Sequence, residues 1–182
     1  VADRKYLTEA EIASLLRAIK APRDKALFTI MYWRGLRASE AGRLRLSDFD
    51  SKKGRLHVKR VKGSLDGSFL LSPPELRALR AWLAMRGDQA GPLFTSRNGG
   101  RGIDRRMVYV LFQRYAEAAG LPAHLHHPHA LKHSIATHLI GKLGLAKTQT
   151  WVGHKDPKST IVYAQMRSAE MDAAAKEVYG EL

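Results

Sequence analysis

The chain holds 182 residues, 45% of them hydrophobic, which suits one domain with one sizeable core and argues against global disorder. Its 31 Lys and Arg stand against 17 Asp and Glu, a formal charge of +14 that favours a polyanion such as DNA, RNA or an acidic membrane surface. There is no cysteine, so disulfides and thiolate metal sites are excluded; no apolar run approaches the ~18 residues of a bilayer span.

The N-terminal Val1-Ala2-Asp3-Arg4-Lys5 lacks a secretory apolar core, and with the missing cysteines this leads to the expectation of a soluble cytoplasmic protein. Thr8 and Glu11 form a capping box before Ile12, Leu15, Leu16 and Ile19, which predicts a first helix. Pro22 suits the first turn of a second helix carrying Ala26, Leu27, Ile30, Met31 and Trp33. Gly35 breaks it, and a short helix over about 38–43 follows, so Arg37 lies at a helix–turn–helix junction.

From 54 to 72 the period changes. Leu56, Val58 and then Phe69, Leu71 alternate with polar residues around Gly63-Ser64-Leu65-Asp66-Gly67, which predicts a β-hairpin. Pro73-Pro74-Glu75 opens a helix to about Met85, and Leu93-Phe94-Thr95 is expected as a third, short strand. Asp104 caps a helix to about Ala119, closed by Gly120 and Pro122. Residues 124–128 read as irregular, Pro128 opens a helix to about Gly141, and shorter helices are expected over 146–152, 157–164 and 169–178. The expected class is α+β, mostly helical, with a small antiparallel three-stranded sheet and one domain over 1–182.

The residues with chemistry fall in a particular order. Gly35-Leu36-Arg37-Ala38-Ser39-Glu40 comes first, then Arg60-Val61-Lys62-Gly63 in the hairpin, His129-Ala130-Leu131-Lys132-His133, Gly153-His154 and Tyr163. They supply a nucleophile, acid/base groups and phosphate-binding cations on one basic domain. The chain resembles the catalytic domain of the tyrosine recombinases, the phage-integrase and Xer family, over roughly residues 7–166. That family is marked by an Arg in a G-L-R-x-S-E segment, a hairpin Lys, an H-x-L-R-H box, a G-H box and a Tyr nine residues after its His. Here Lys132 stands where the box normally carries Arg, which keeps the charge but loses the planar fork that grips two phosphate oxygens.

The resemblance implies a site-specific DNA recombinase, an integrase or invertase, cutting and rejoining double-stranded DNA through a 3′-phosphotyrosine. Tyr163 would be the nucleophile, Arg37, Lys132 and His154 would stabilise charge on the phosphoryl oxygens, Lys62 would protonate the leaving 5′ oxygen, and His129 would serve as an acid/base partner. Glu40 and His133 are supporting residues, Glu40 by orienting the cations. Neither metal nor cofactor is expected, because fixed cations take the metal's place. Two other readings share the motifs: a non-catalytic recombinase-like DNA-binding protein, and a type IB topoisomerase that relaxes without exchange.

Lys59, Arg60 and Lys62 share the strand and could each contact DNA backbone; alternation puts Arg60 and Lys62 on one face and Lys59 on the other. Arg97, Arg101, Arg105, Arg106 and Lys142 read as backbone contacts by charge. His124, His126, His127, His129, His133 and His138 invite a metal reading, but a zinc-protease box would need Glu where Ala130 stands. Tyr32, Tyr109 and Tyr115 sit on amphipathic helices as packing residues, Tyr6 carries none of the motifs, Tyr179 lacks a Gly-His lead, and Trp151 is expected in the core. Larger relatives carry an N-terminal helical clamp before this domain, so the resemblance implies either a fragment excised from such a protein or a naturally short recombinase like the fimbrial-switch invertases, which share the lead His127-Pro128-His129. Protomers are expected to assemble on DNA as dimers or tetramers, with the tail 168–182 exchanged between them, in a prokaryotic, nucleoid-associated setting.

Overall fold

The computed structural model describes residues 4–61, 64–97 and 99–153. Helix α1 (Glu9–Ala18) begins at the anticipated capping box: the Glu11 N–H donates to Thr8 Oγ1 (3.2 Å) and the Thr8 N–H donates to Glu11 Oε2 (2.7 Å). Two orphan donors are thereby satisfied at once. Helix α2 (Pro22–Arg34) is the central element, with Ala26, Leu27, Phe28, Ile30 and Met31 all fully buried. Apolar residues around so much of its circumference mark a helix enclosed by others rather than one lying on a surface. It ends at Gly35, whose φ of 58° is left-handed, and α3 (Ala38–Arg43) follows after two residues.

The sheet is antiparallel, in the order β1 (Phe49–Asp50), β2 (Arg55–Val58), β3 (Gly67–Leu70). Leu56 pairs with Phe69 and Val58 with Gly67, which turns Leu56 and Val58 into the core. The third strand is therefore Phe49–Asp50 and not the expected 93–95 segment. Leu93 and Phe94 are fully buried, but the segment's β-pairing amounts to isolated bridges, Arg45 with Pro92 and Thr95 with Gly102, and not to a strand of the sheet. Their apolar run is a core plug between α4 (Pro73–Arg86) and α5 (Arg105–Ala118), and periodicity does not separate a buried loop from a short strand.

Helix α6 runs over His129–Val152 with a break at Gly144 (φ 74°, ψ 173°), so the two helices expected on either side of that point are collinear in sequence but kinked in space. A single 3₁₀ turn, Ala123–Leu125, occupies the stretch expected as irregular. The backbone N–H of Leu7 donates to the buried Ser134 Oγ (2.8 Å), tying the N-terminal segment to α6. The helices expected over 157–164 and 169–178 lie outside the described residues.

Candidate active site

Arg37 is placed by the turn after α2. Gly35 closes that helix, Leu36 is buried, and Arg37 takes an extended conformation as the residue capping α3. Glu40, one turn into α3, accepts from the Arg37 N–H (2.8 Å) and from Arg37 Nη1 (3.1 Å). The same Nη1 donates to Ser64 Oγ (2.9 Å) in the hairpin. Arg37 keeps about a third of its side chain exposed, at 36%, and borders a cleft of about 450 Å³ lined with Ser39, Arg105, Tyr109, His127 and His129. A partly exposed guanidinium anchored along one edge leaves its other edge for an incoming anion.

Glu40 itself is buried, and it also accepts from Arg60 Nη1 (3.3 Å) and the Val61 N–H (3.3 Å). Burial alone would raise its carboxyl, but the Arg37 N–H, then Arg60 and Lys132, hold it below the usual carboxylate range. It is a fixed anion around which the cations are arranged.

Lys132 is 1% exposed and donates from Nζ to the Val152 carbonyl (2.9 Å). Burial first, and then the Arg60 and Arg37 charges, push its ammonium down to about 7, with Glu40 opposing. His129 opens α6 and faces the cleft; the protein packed around it, and then Lys132, hold its imidazole below the usual value. His133 lies one turn further, edge to face with His129 at 4.4 Å, and is pushed down to about 4 by burial and then by His129. Both rings are therefore neutral near pH 7, which suits proton transfer and hydrogen bonding more than charge pairing.

Lys62, His154 and Tyr163 lie outside the described residues. Their described neighbours are Val61, which bonds Glu40, and Gly153, which closes α6 with φ 70° and accepts from the Leu65 N–H (3.1 Å). Arg37, Glu40, Lys132 and His129, distant in sequence, thus gather beside one cleft at the junction of α3, the hairpin and α6.

The phage integrase family model matches residues 5–170. The chain belongs to the phage integrase family. Tyrosine recombinase XerC of Actinobacillus pleuropneumoniae serotype 7 (strain AP76) is 36% identical over 148 residues, which cover 79% of this chain and 47% of that protein. Type 1 fimbriae regulatory protein FimB of Escherichia coli (strain K12) is 32% identical over 169 residues, covering 88% of this chain and 84% of FimB. The crystal structure of XerA recombinase superposes with a TM-score of 0.83 at 22% identity, covering 97% of this chain and 64% of that one, a likeness of fold. The chain spans about half the length of the first XerC relatives it matches.

Within this phage integrase fold the expected DNA contacts separate. Lys59, Arg97, Arg101, Arg105 and Arg106 are exposed, and Arg105 lines the Arg37 cleft. Arg97 lines a different cavity, with Arg23, Trp82 and Tyr115. Arg60 departs from expectation. Its side chain is fully buried against Glu40, so no phosphate reaches it. Arg60 continues the parity of Leu56 and Val58, the buried residues of β2, so the face that alternation assigns it is the protein interior. Tyr109 packs against the core as expected and also lines the cleft, and Tyr32 and Tyr115 are buried as expected. Trp151 is half-buried, donating from Nε1 to the Trp33 carbonyl (2.6 Å) and stacking 4.6 Å from the Arg34 guanidinium.

Ser64 is a site contact that sequence reasoning passed over. A serine in a turn carries no signal of its own, although its place directly after Lys62-Gly63 could have drawn notice. The Arg34–Glu75 pair beneath the site (2.8 Å) was likewise unseen, because its partners stand 41 residues apart.

Proposed function

We propose that the chain is the catalytic part of a site-specific DNA recombinase that cuts and rejoins duplex DNA through a 3′-phosphotyrosine. The observation that carries this reading is Arg37, locked to buried Glu40 and to Ser64 with its free edge on the cleft that His129 also lines. A phosphodiester in that cleft would meet the guanidinium at its non-bridging oxygens.

In the proposed reaction Tyr163 Oη attacks phosphorus, a P–O bond to tyrosine forms, and the bond to the 5′ oxygen breaks. The phenol loses its proton to neutral His129, which lines the same cleft as Arg37, and Lys62 gives a proton to the leaving oxygen. Arg37 and Lys132, with a hydrogen bond from His154, stabilise the charge that grows on the non-bridging oxygens. The ester conserves the bond energy, so a second 5′ hydroxyl can reverse the step on a new strand.

The formal charge of +14 supports duplex DNA as partner, with Lys59, Arg101, Arg105 and Arg106 on its backbone. Self-association into dimers or tetramers on paired sites, exchange of the 168–182 tail and a place at the nucleoid complete the reading. Among the described residues no helix is long and apolar enough to cross a membrane.

The test is incubation with negatively supercoiled plasmid at low salt and in EDTA, followed by SDS, with Tyr163→Phe alongside. Relaxed plasmid carrying covalent protein only with Tyr163 present is expected; plasmid bound and never attached refutes the reading. A second reading, a DNA-binding protein without turnover, draws on Lys132, whose Nζ is already bonded to the Val152 carbonyl. Cleavage appearing only in Lys132→Arg would select it.

A further inference from the structure

Arg60 presents a contradiction that its neighbours resolve. A guanidinium is costly to remove from water, and packed apolar atoms often serve stability as well or better. Yet Arg60 is fully buried, and most of its donors go to main-chain carbonyls rather than to a carboxylate. Nη2 donates to the Arg34 carbonyl (2.7 Å) and the Trp151 carbonyl (3.4 Å); Nη1 donates to the Gly35 carbonyl (3.1 Å) and to Glu40 (3.3 Å). Its own N–H donates to Asp66 Oδ1 (2.7 Å), across the hairpin.

Those acceptors belong to separate stretches of chain. Arg34 and Gly35 form the turn that sets Arg37, Glu40 is the anion holding Arg37, and Trp151 lies two residues before Gly153. Arg60 stands two residues before Lys62, and His154 follows Gly153 directly. Gly153 also packs on this fork: a Cβ there would sit 2.8 Å from Arg60 Nε and 3.1 Å from the Leu65 carbonyl oxygen. Only a planar, multi-donor head spans such a junction; a lysine offers one point of charge.

We propose that Arg60 is a positioning residue, whose buried fork locks the hairpin, the Gly35 turn and the Gly153 end of α6 together so that the groups they carry meet one phosphate. This role rests on the recombinase reading for its consequence, but its geometry stands without it. The residue acts through the backbone that leads to Arg37, Lys62 and His154, and makes no DNA contact.

The experiment compares wild type, Arg60→Met, Arg60→Lys and Lys59→Met by amide hydrogen exchange, by plasmid binding across a salt series, and by the covalent plasmid adduct. Arg60→Met is expected to speed exchange about tenfold or more in residues 64–66 and 150–153 while residues 26–32 keep their protection. Its adduct rate is expected to fall by about 100-fold, the cost of misplaced groups, with plasmid affinity within about twofold of wild type. Lys59→Met, an exposed cation, should instead weaken binding and lower the salt slope by about one. Arg60→Lys keeps a charge beside Glu40 and should fall between; it carries the same measurements if Arg60→Met does not fold, and wild-type behaviour in it overturns the proposal. Exchange unchanged in Arg60→Met, or adduct loss that tracks weaker plasmid binding, also overturns it. A wild type that forms no adduct sinks the recombinase reading alone, and the exchange pattern then decides this one.

Discussion

Glu40→Gln is the substitution whose consequences the structure defines most fully. The carboxylate is buried and receives the Arg37 N–H, Arg37 Nη1, Arg60 Nη1 and the Val61 N–H. Glutamine keeps the shape but replaces one acceptor oxygen by an amide that must face donors. It also leaves Arg60 buried without a counter-charge. Breaking a buried ion pair from one side costs about 3–5 kcal/mol. The retained oxygen still takes some of the donors, so the low end, about 3 kcal/mol, is expected. For a domain of this size that is a fall in Tm of about 6–12 °C. The effect carries a pH signature. Glu40 titrates below its ordinary value of 4.5 in the fold, so its contribution is present above that value and is lost as pH falls through the folded pKa. Urea unfolding of both proteins at pH 7 and at descending pH below 4.5 checks this: the gap should be full at pH 7 and close in acid. A difference under about 1 kcal/mol at pH 7, or one independent of pH, would refute the idea that Glu40 anchors the cations as an anion.

Three further outcomes are expected. Lys132 is pushed down to about 7, so it is charged below that pH and neutral above; adduct formation at subsaturating plasmid should decline as pH rises through about 7, and Lys132→Arg should carry that limb upward, whereas coincident limbs would show that position 132 does not set it. Gly153→Ala puts a Cβ 2.8 Å from Arg60 Nε at a φ of 70°, and should lower stability by about 1–3 kcal/mol in a chemical melt while depressing adduct formation; a neutral melt would contradict the packing described. Ser134→Ala strips the buried Leu7 N–H of its acceptor and should cost about 1–3 kcal/mol with plasmid binding intact, and an unchanged melt would mean that the N-terminal segment is not held there.

The helices were legible because their signals are local. Thr8 with Glu11, Pro22 before α2, Asp104 before α5 and Gly35 after α2 each act within one turn of the chain. The site motifs were legible for a similar reason, since Arg37 and Glu40 lie three residues apart and His129, Lys132 and His133 share one helical face. The third strand was not. Phe49–Asp50 is two residues long, while Leu93-Phe94 reads as a strand by composition and is a buried loop in space. Tyr109 packs on the core as its helix pattern predicts, but it also borders the cleft, which a local pattern does not reveal.

By itself, the sequence determined which of the described segments become helix and where they begin, because capping, period and turn residues work between near neighbours. The fate of each cation was decided only in the tertiary structure. Arg37 and Arg60 look alike in a string of basic residues, yet one borders the cleft and the other lies beneath it, bonded to carbonyls from two other stretches. Lys132 was a charge in the sequence and became a buried ammonium with a perturbed proton only when the protein closed over it, Arg60 and Arg37 adding to the shift and Glu40 opposing it. Burial and electrostatic environment depend on what packs against a residue from far along the chain, and no local pattern encodes that.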